Sequence, residues 1–191
     1  MEPKKNNSIL KFFREVVVVL IGVMIALFIN SWRETNNNEK FVKSVMTAVQ
    51  EDINTSQESV KEVYDKHQQL IDTVKFYVDD NNLSIRDLIT KCGGVKYPGV
   101  KNISLRYLAG SRAELVSYEL ISTLTEIESS SEFMSLKFEK LLDFTYDAIE
   151  NSDRTSKIKF LIALSNVVDS EKTLLGLYKD FLQDEKAPSN K

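Results

Sequence analysis

Residues 16–32, VVVVLIGVMIALFINSW, run for seventeen positions without a charged side chain. Nothing else in the chain constrains it as tightly. An α-helix rises about 1.5 Å per residue, so a hydrocarbon layer of about 30 Å takes about 20 residues. The uncharged run is slightly short of that. Phe12 and Phe13 extend it, with Lys11 and Arg14 reaching the headgroups along their alkyl stems. Trp32 stands where an interfacial anchor belongs. Consecutive valines would weaken a helix in water. In lipid every backbone group must be satisfied internally, and a helix does this for a single segment. A cleaved signal peptide would share the basic start and the apolar core 16–29. The sequence Ile29-Asn30-Ser31 lacks the small-x-small cleavage pattern, so the segment reads as a retained anchor.

One face of this helix differs from the rest. At 100° per residue, Glu15, Gly22, Ala26, Asn30 and Arg33 fall within a sector of roughly 80°. Gly22-x-x-x-Ala26 is a small-xxx-small pair that lets a second helix approach closely. One reading is an oligomer seam, or the wall of a narrow pore with Glu15 at its mouth. The other is that Glu15 and Arg33 sit at the two interfaces, each at the favourable end of the helix dipole.

The segment Glu15-x5-Ile21-Gly22-Val23-x-Ile25-Ala26-Leu27-x-Ile29-Asn30-x-Trp32-x-Glu34 resembles the start of a large family of uncharacterised bacterial membrane proteins. These begin with one span close to E-x5-I-G-I-x-I-A-L-x-I-N-x-W-x-E, followed by a helical domain of unknown function. The likeness covers about 20 residues and fades after Glu34, and Arg14 stands where the family pattern has glycine. It implies a membrane-tethered helical protein and no particular activity. The implied setting is a bacterial inner membrane. Four basic residues (Lys4, Lys5, Lys11, Arg14) precede the span, against three close behind it (Arg33, Lys40, Lys43). The positive-inside rule then places the N-terminus in the cytoplasm and the main domain in the periplasm. The expected organisation is a basic cytoplasmic segment 1–14, a transmembrane helix 15–33, a helical stalk and bundle domain 34–183, and a flexible tail 184–191.

Beyond position 33 the chain carries 20 basic and 26 acidic residues, a net of −6. An acidic domain without a basic cluster is a poor nucleic-acid binder. The only cysteine is Cys92 and the only histidine is His67, which rules out an intrachain disulfide and a multi-Cys/His zinc site within one chain. No cofactor or metal is implied. With three prolines, and four of six glycines between 93 and 110, the remainder favours long helices.

From Val42 the apolar residues keep an unbroken 4-3 spacing through Met46, Val49, Ile53, Ser56, Val60, Val63, His67, Leu70, Val74 and Tyr77. This predicts a long stalk helix with a coiled-coil-like seam. The same register runs back through Thr35, Trp32, Phe28, Ile25 and Ile21, so anchor and stalk are expected to form one rod, broken or softened around 36–38. Ser56 and His67 interrupt the seam. His67 is either a pH-sensitive position or a tolerated polar residue that sets register or faces solvent. A short helix is expected at 84–92, then an irregular region 95–110 with a brief extended piece at 102–108. Two capping-box patterns, Ser111-x-x-Glu114 and Ser129-x-x-Glu132, each predict a helix start. A last helix is expected over 153–183. The fold class is all-α: a single N-terminal transmembrane helix continuing into a stalk, with an antiparallel helical bundle.

No nucleophile elbow, phosphate loop or histidine metal motif occurs. The carboxylate pairs Glu51/Asp52 and Asp79/Asp80 read as solvated faces. The chain is expected not to be an enzyme. Lys96, Tyr97, Lys101, Arg106, Tyr107 and Arg112 could together hold a phosphate, nucleotide or sugar acid. The favoured reading is a loop that salt-bridges the acidic helices around it. Two functions follow. One is a membrane-tethered scaffold or sensor that contacts the lipid bilayer and self-associates through its transmembrane and stalk helices, with its protein partner undefined. The other is an oligomeric membrane effector of defence type, gated by its helical domain.

Overall fold

The computed structural model describes the backbone of residues 6–184 and the side chains of residues 10–183. Part of the basic segment 1–14 and nearly all of the tail 184–191 lie outside the described residues. Five α-helices and one short 3-10 turn make up the fold, and no strand occurs among the described residues. They are α1 (Asn6–Phe76), α2 (Ile85–Lys91), α3 (Ile103–Ser111), α4 (Tyr118–Ala148) and α5 (Arg154–Asp184), with the turn Ala113–Leu115 between α3 and α4. The chain divides into two compact units, Met1–Ser44 and Val45–Lys191. In the first unit, residues 10–33 of α1 are exposed throughout. This stretch is long and apolar enough to cross a membrane. Helical hydrogen bonding continues through Asn36, Asn37 and Asn38, so the helix is not broken there.

The second unit is a bundle of three long helices built on the same periodicity. On α1, Val49, Ile53, Ser56, Val60, Val63, His67, Leu70 and Val74 are all buried. On α4 the buried residues are Leu124, Ile127, Ser131, Met134, Phe138, Leu141, Thr145 and Ala148. On α5 they include Lys157, Phe160, Leu164, Val167, Glu171, Leu174, Tyr178 and Phe181. Each set keeps the alternating 3-4 spacing that holds one face of a helix toward its neighbours. Burial of each large apolar side chain contributes about 1.5–3 kcal/mol. His67 stacks on Phe138 of α4 and hydrogen-bonds Glu171 of α5, which fixes the level of all three helices. Further along, Lys157 of α5 reaches the end of α1. Thus α5 runs antiparallel to α1, while α4 runs with it.

The connection from α1 back to the start of α4 is made by α2, a strap (residues 93–102) and α3. Ser84 and Asp87 close a capping box on α2. The next orphan donors, the N–H groups of Ile85 and Arg86, bond the carbonyls of Asn151 and Ile149 just past α4, so one helix start completes another helix end. Gly93 and Gly94 have φ of +80° and +94°. Their N–H groups bond the carbonyls of Thr90 and Ile89, a Schellman termination that a β-carbon would strain.

Three local expectations fail for identifiable reasons. Residues 102–108 are not extended, because Leu105 and Leu108 bury themselves on one side of helix α3. Ser111 does not start a helix: it ends α3, its hydroxyl donating back to the Tyr107 carbonyl. The N-cap of α4 is Ser117, whose Oγ accepts from the Leu120 N–H at 3.2 Å. No helix starts at Ser129 either. The buried series of α4 passes straight through the three serines, and Ser131 Oγ is occupied, donating to the Glu128 carbonyl and accepting from Asn102 Nδ2.

Candidate functional site

The strap rests on a polar stripe of α1. Asp52, Ser56 and Ser59 are spaced four and three residues apart, on one helix face. Ser59 Oγ accepts from the Gly99 N–H at 2.8 Å, Ser56 Oγ from the Lys101 N–H at 2.9 Å, and Asp52 Oδ2 from the Ser104 N–H at 3.2 Å. Asn102, at the N-cap of α3, supplies no cap of its own. Asp52 therefore caps α3 from another helix, and it is not part of a solvated face as the Glu51/Asp52 pair suggested. Asp52→Ala should cost about 1 kcal/mol and speed amide exchange at Ser104 and Leu105, whereas Asp52→Asn should retain most of the cap. Native-state hydrogen exchange reads both.

Of the six cationic and aromatic residues of this region, Tyr97 and Arg106 line one cleft, while Lys96 and Lys101 lie along α1. Lys96 acts on Glu62 of α1, whose carboxyl is held below its usual range mainly by Lys66 and to a lesser extent by Lys96. The Lys101 amide sits on Ser56, six positions earlier, or about 9 Å along the helix axis. Arg106 is already paired: Nε donates to Glu128 at 2.5 Å and Nη2 to Glu132 at 2.8 Å. Glu128 and then Glu132 raise its pKa further. Tyr107 lies on α3 and Arg112 at its C-cap. Here Arg106 bridges acidic side chains.

The strap does form one wall of a cleft of about 330 Å³ against α3 and α4. Tyr97 stands at one side, its ring 5.1 Å from that of Phe138, and the next residue, Pro98, is buried. Asn102, Arg106, Ser131, Glu132 and Ser135 supply the polar lining.

Two polar levels lie inside the bundle, at the two positions that interrupt the α1 seam. At the first, His67 Nδ1 is 2.8 Å from Glu171 Oε1, with both side chains essentially inaccessible. His67 thus faces the core and not solvent. His67 Nε2 and Glu171 Oε2 have no hydrogen-bond partner among the described residues. At the second, the Tyr178 hydroxyl is buried without a hydrogen-bond partner among the described residues. Burial pushes its phenol up to about 12, with the Ser56 hydroxyl pulling weakly the other way. A raised phenol pKa favours the neutral form in the folded state. Its contribution is complete below pH 10 and is lost as pH rises from about 10 to 12, worth about 2–3 kcal/mol. Tyr178→Phe should flatten the alkaline fall in stability by that amount, read by circular dichroism.

The sequence reading missed Glu171, Lys157 and the Asp52 cap. The first two could have been found: both fall on the 3-4 series of α5, where a charged side chain requires a partner. Among the described residues, no three of His, Cys, Asp and Glu are placed as metal ligands would be.

The residues expected to form the membrane-helix face, Glu15, Gly22, Ala26, Asn30 and Arg33, lie on the uninterrupted helix α1 and are all exposed. A β-carbon built on Gly22 would meet nothing within 4 Å. Trp32 is exposed beside them.

No curated protein and no solved structure matches the chain. A family sequence model does, over residues 15–125, which takes in the Glu15–Glu34 pattern, the bundle part of α1, the strap and α3. The chain belongs to the DUF6090 family, a family of unknown function, in keeping with its resemblance to uncharacterised single-span helical proteins.

Proposed function

We propose that this protein is a non-enzymatic, membrane-anchored scaffold or sensor of the bacterial inner membrane, which self-associates through its span and presents the helical bundle on the periplasmic side. The observation that carries this reading is a contrast in surface. Residues 16–32 of α1 are uncharged and exposed along their whole length, whereas the α1 seam from Val49 to Val74 is buried within its own bundle. An apolar helix surface of that length needs lipid or another helix around it. The stalk seam has no comparable surface left to offer, so self-association falls to the Gly22–Ala26 face, where backbones can approach closely.

Membrane fractionation and labelling test this. The full chain should stay in the membrane pellet after alkaline carbonate and leave it only with detergent. Release by carbonate would contradict the anchor. For orientation, Cys92→Ser removes the native thiol and Lys101→Cys places one on the exposed strap, where only the backbone N–H is structurally engaged. Labelling by an impermeant maleimide with the inner membrane intact supports the periplasmic bundle. Labelling only after that membrane is breached places the bundle in the cytoplasm and makes the signal-gated effector the better reading.

A further inference from the structure

We propose that the cleft between the strap, α3 and α4 binds an uncharged, polyhydroxylated ligand of hexopyranose size, either a free sugar or the end of a glycan. This deepens the sensor side of the function proposed above and rests on it for its biological meaning. Three observations carry it. The first is charge. The guanidinium of Arg106 is held by two carboxylates, Glu128 at 2.5 Å and Glu132 at 2.8 Å. A phosphate or carboxylate entering the cleft would meet a local excess of negative charge, two carboxylates against one guanidinium. The second is the pattern of polar groups. Arg106 Nη1 makes no hydrogen bond among the described residues, and it lies on the same planar group as the Nη2 that holds Glu132. A donor edge and an acceptor edge therefore stand side by side. That arrangement suits vicinal hydroxyls, each of which donates and accepts. Ser135 adds a hydroxyl with no side-chain partner among the described residues. The third is the aromatic wall. Tyr97 is 44% exposed, and its ring lies 5.1 Å from that of Phe138. It offers a flat apolar surface for the C–H face of a sugar ring. The cleft volume of about 330 Å³ lies at the small end of the range of about 300–1,000 Å³ for ligand pockets. The strap that forms its wall is held to α1 by two amide hydrogen bonds, and the start of α3 by a third, so little ordering is needed on binding.

The test is a titration of the full chain in amine-oxide micelles, which bring neither sugar nor phosphate, followed by NMR of 13C-labelled tyrosine rings. Tyr97 is assigned from the spectrum of Tyr97→Phe. The probes are the methyl glycosides of glucose, galactose and mannose, chitotetraose, and inorganic phosphate, each to about 100 mM. The expected result is a saturable shift of the Tyr97 signals by at least one glycoside, with a Kd in the millimolar range. Ser135→Ala, which breaks no side-chain bond of the fold, should weaken that binding up to about tenfold. A shift by chitotetraose alone supports the proposal with a glycan end as the source. The proposal is overturned if no sugar moves Tyr97, or if phosphate saturates the same signals at lower concentration than any sugar. Because carbonate extraction is scored separately, an empty cleft and a failed anchor give different results.

Discussion

Replacing His67 with leucine should destabilise the bundle by about 3–5 kcal/mol, the largest effect of any single substitution considered for this chain. The reason is what it leaves behind. Glu171 is inaccessible and its Oε1 is paired with His67 Nδ1 at 2.8 Å. Without the imidazole, the Glu171 carboxyl group stays in an apolar core with no hydrogen-bond partner. Glu171→Leu should be milder, about 1–3 kcal/mol, because His67 loses one hydrogen bond and keeps its stacking on Phe138. The double variant His67→Leu/Glu171→Leu should recover most of the loss, since replacing both members of a buried pair with apolar groups is often neutral or stabilising. Unfolding followed by circular dichroism in micelles gives the cycle; Trp32, the only tryptophan, lies in the span and cannot report on the bundle. A coupling energy of about 2 kcal/mol or more is expected. Additive single effects would mean that the two side chains are not paired in the folded protein.

Lys157→Met comes second, at about 2–4 kcal/mol. Lys157 is fully buried, yet its ammonium donates to the carbonyls of Tyr77 at 3.0 Å and Asp80 at 2.5 Å, just beyond the last turn of α1. A cation at the end of a helix meets the negative pole of its dipole, and here it adds a second donor to two carbonyls that already accept from the Asp80 and Leu83 N–H groups. Methionine fills much the same volume and supplies neither. Because the loss is local, amide exchange should accelerate around residues 74–85 and remain slow around residues 49–56. Equal acceleration at both ends would show that Lys157 acts through general packing and not through the end of α1.

What could be read from the sequence follows from how far each signal reaches. The span and the α1 seam were legible because both are written in one segment: an uncharged run, and an apolar 4-3 series over five heptads. Every seam position from Val49 to Val74 is buried. Whether the seam packs against another chain or within its own was not legible, since the same apolar stripe serves either. The two helix starts at Ser111 and Ser129 were misread because a capping box is a local pattern, and tertiary partners overruled it. Ser131 is held by Asn102 from the strap, and the core series of α4 continues on both sides of it. The strap itself was hidden for a related reason. Its geometry comes from Asp52, Ser56 and Ser59, roughly 40–50 residues earlier in the chain, and no spacing rule connects a helix-face hydroxyl to a distant loop amide. The partners of Arg106 were not legible, because counting cations in a window does not reveal which carboxylates α4 places opposite them.

The central claim is that self-association uses the span, while the α1 seam is spent inside its own bundle. Oxidative cross-linking in native membranes tests it most directly. In a Cys92→Ser background, Ala26→Cys should give a disulfide-linked dimer, and Val60→Cys, at a position with no accessible surface, should stay monomeric. A dimer through position 60 with none through position 26 would contradict the account, placing the seam between chains and leaving the span as a simple anchor.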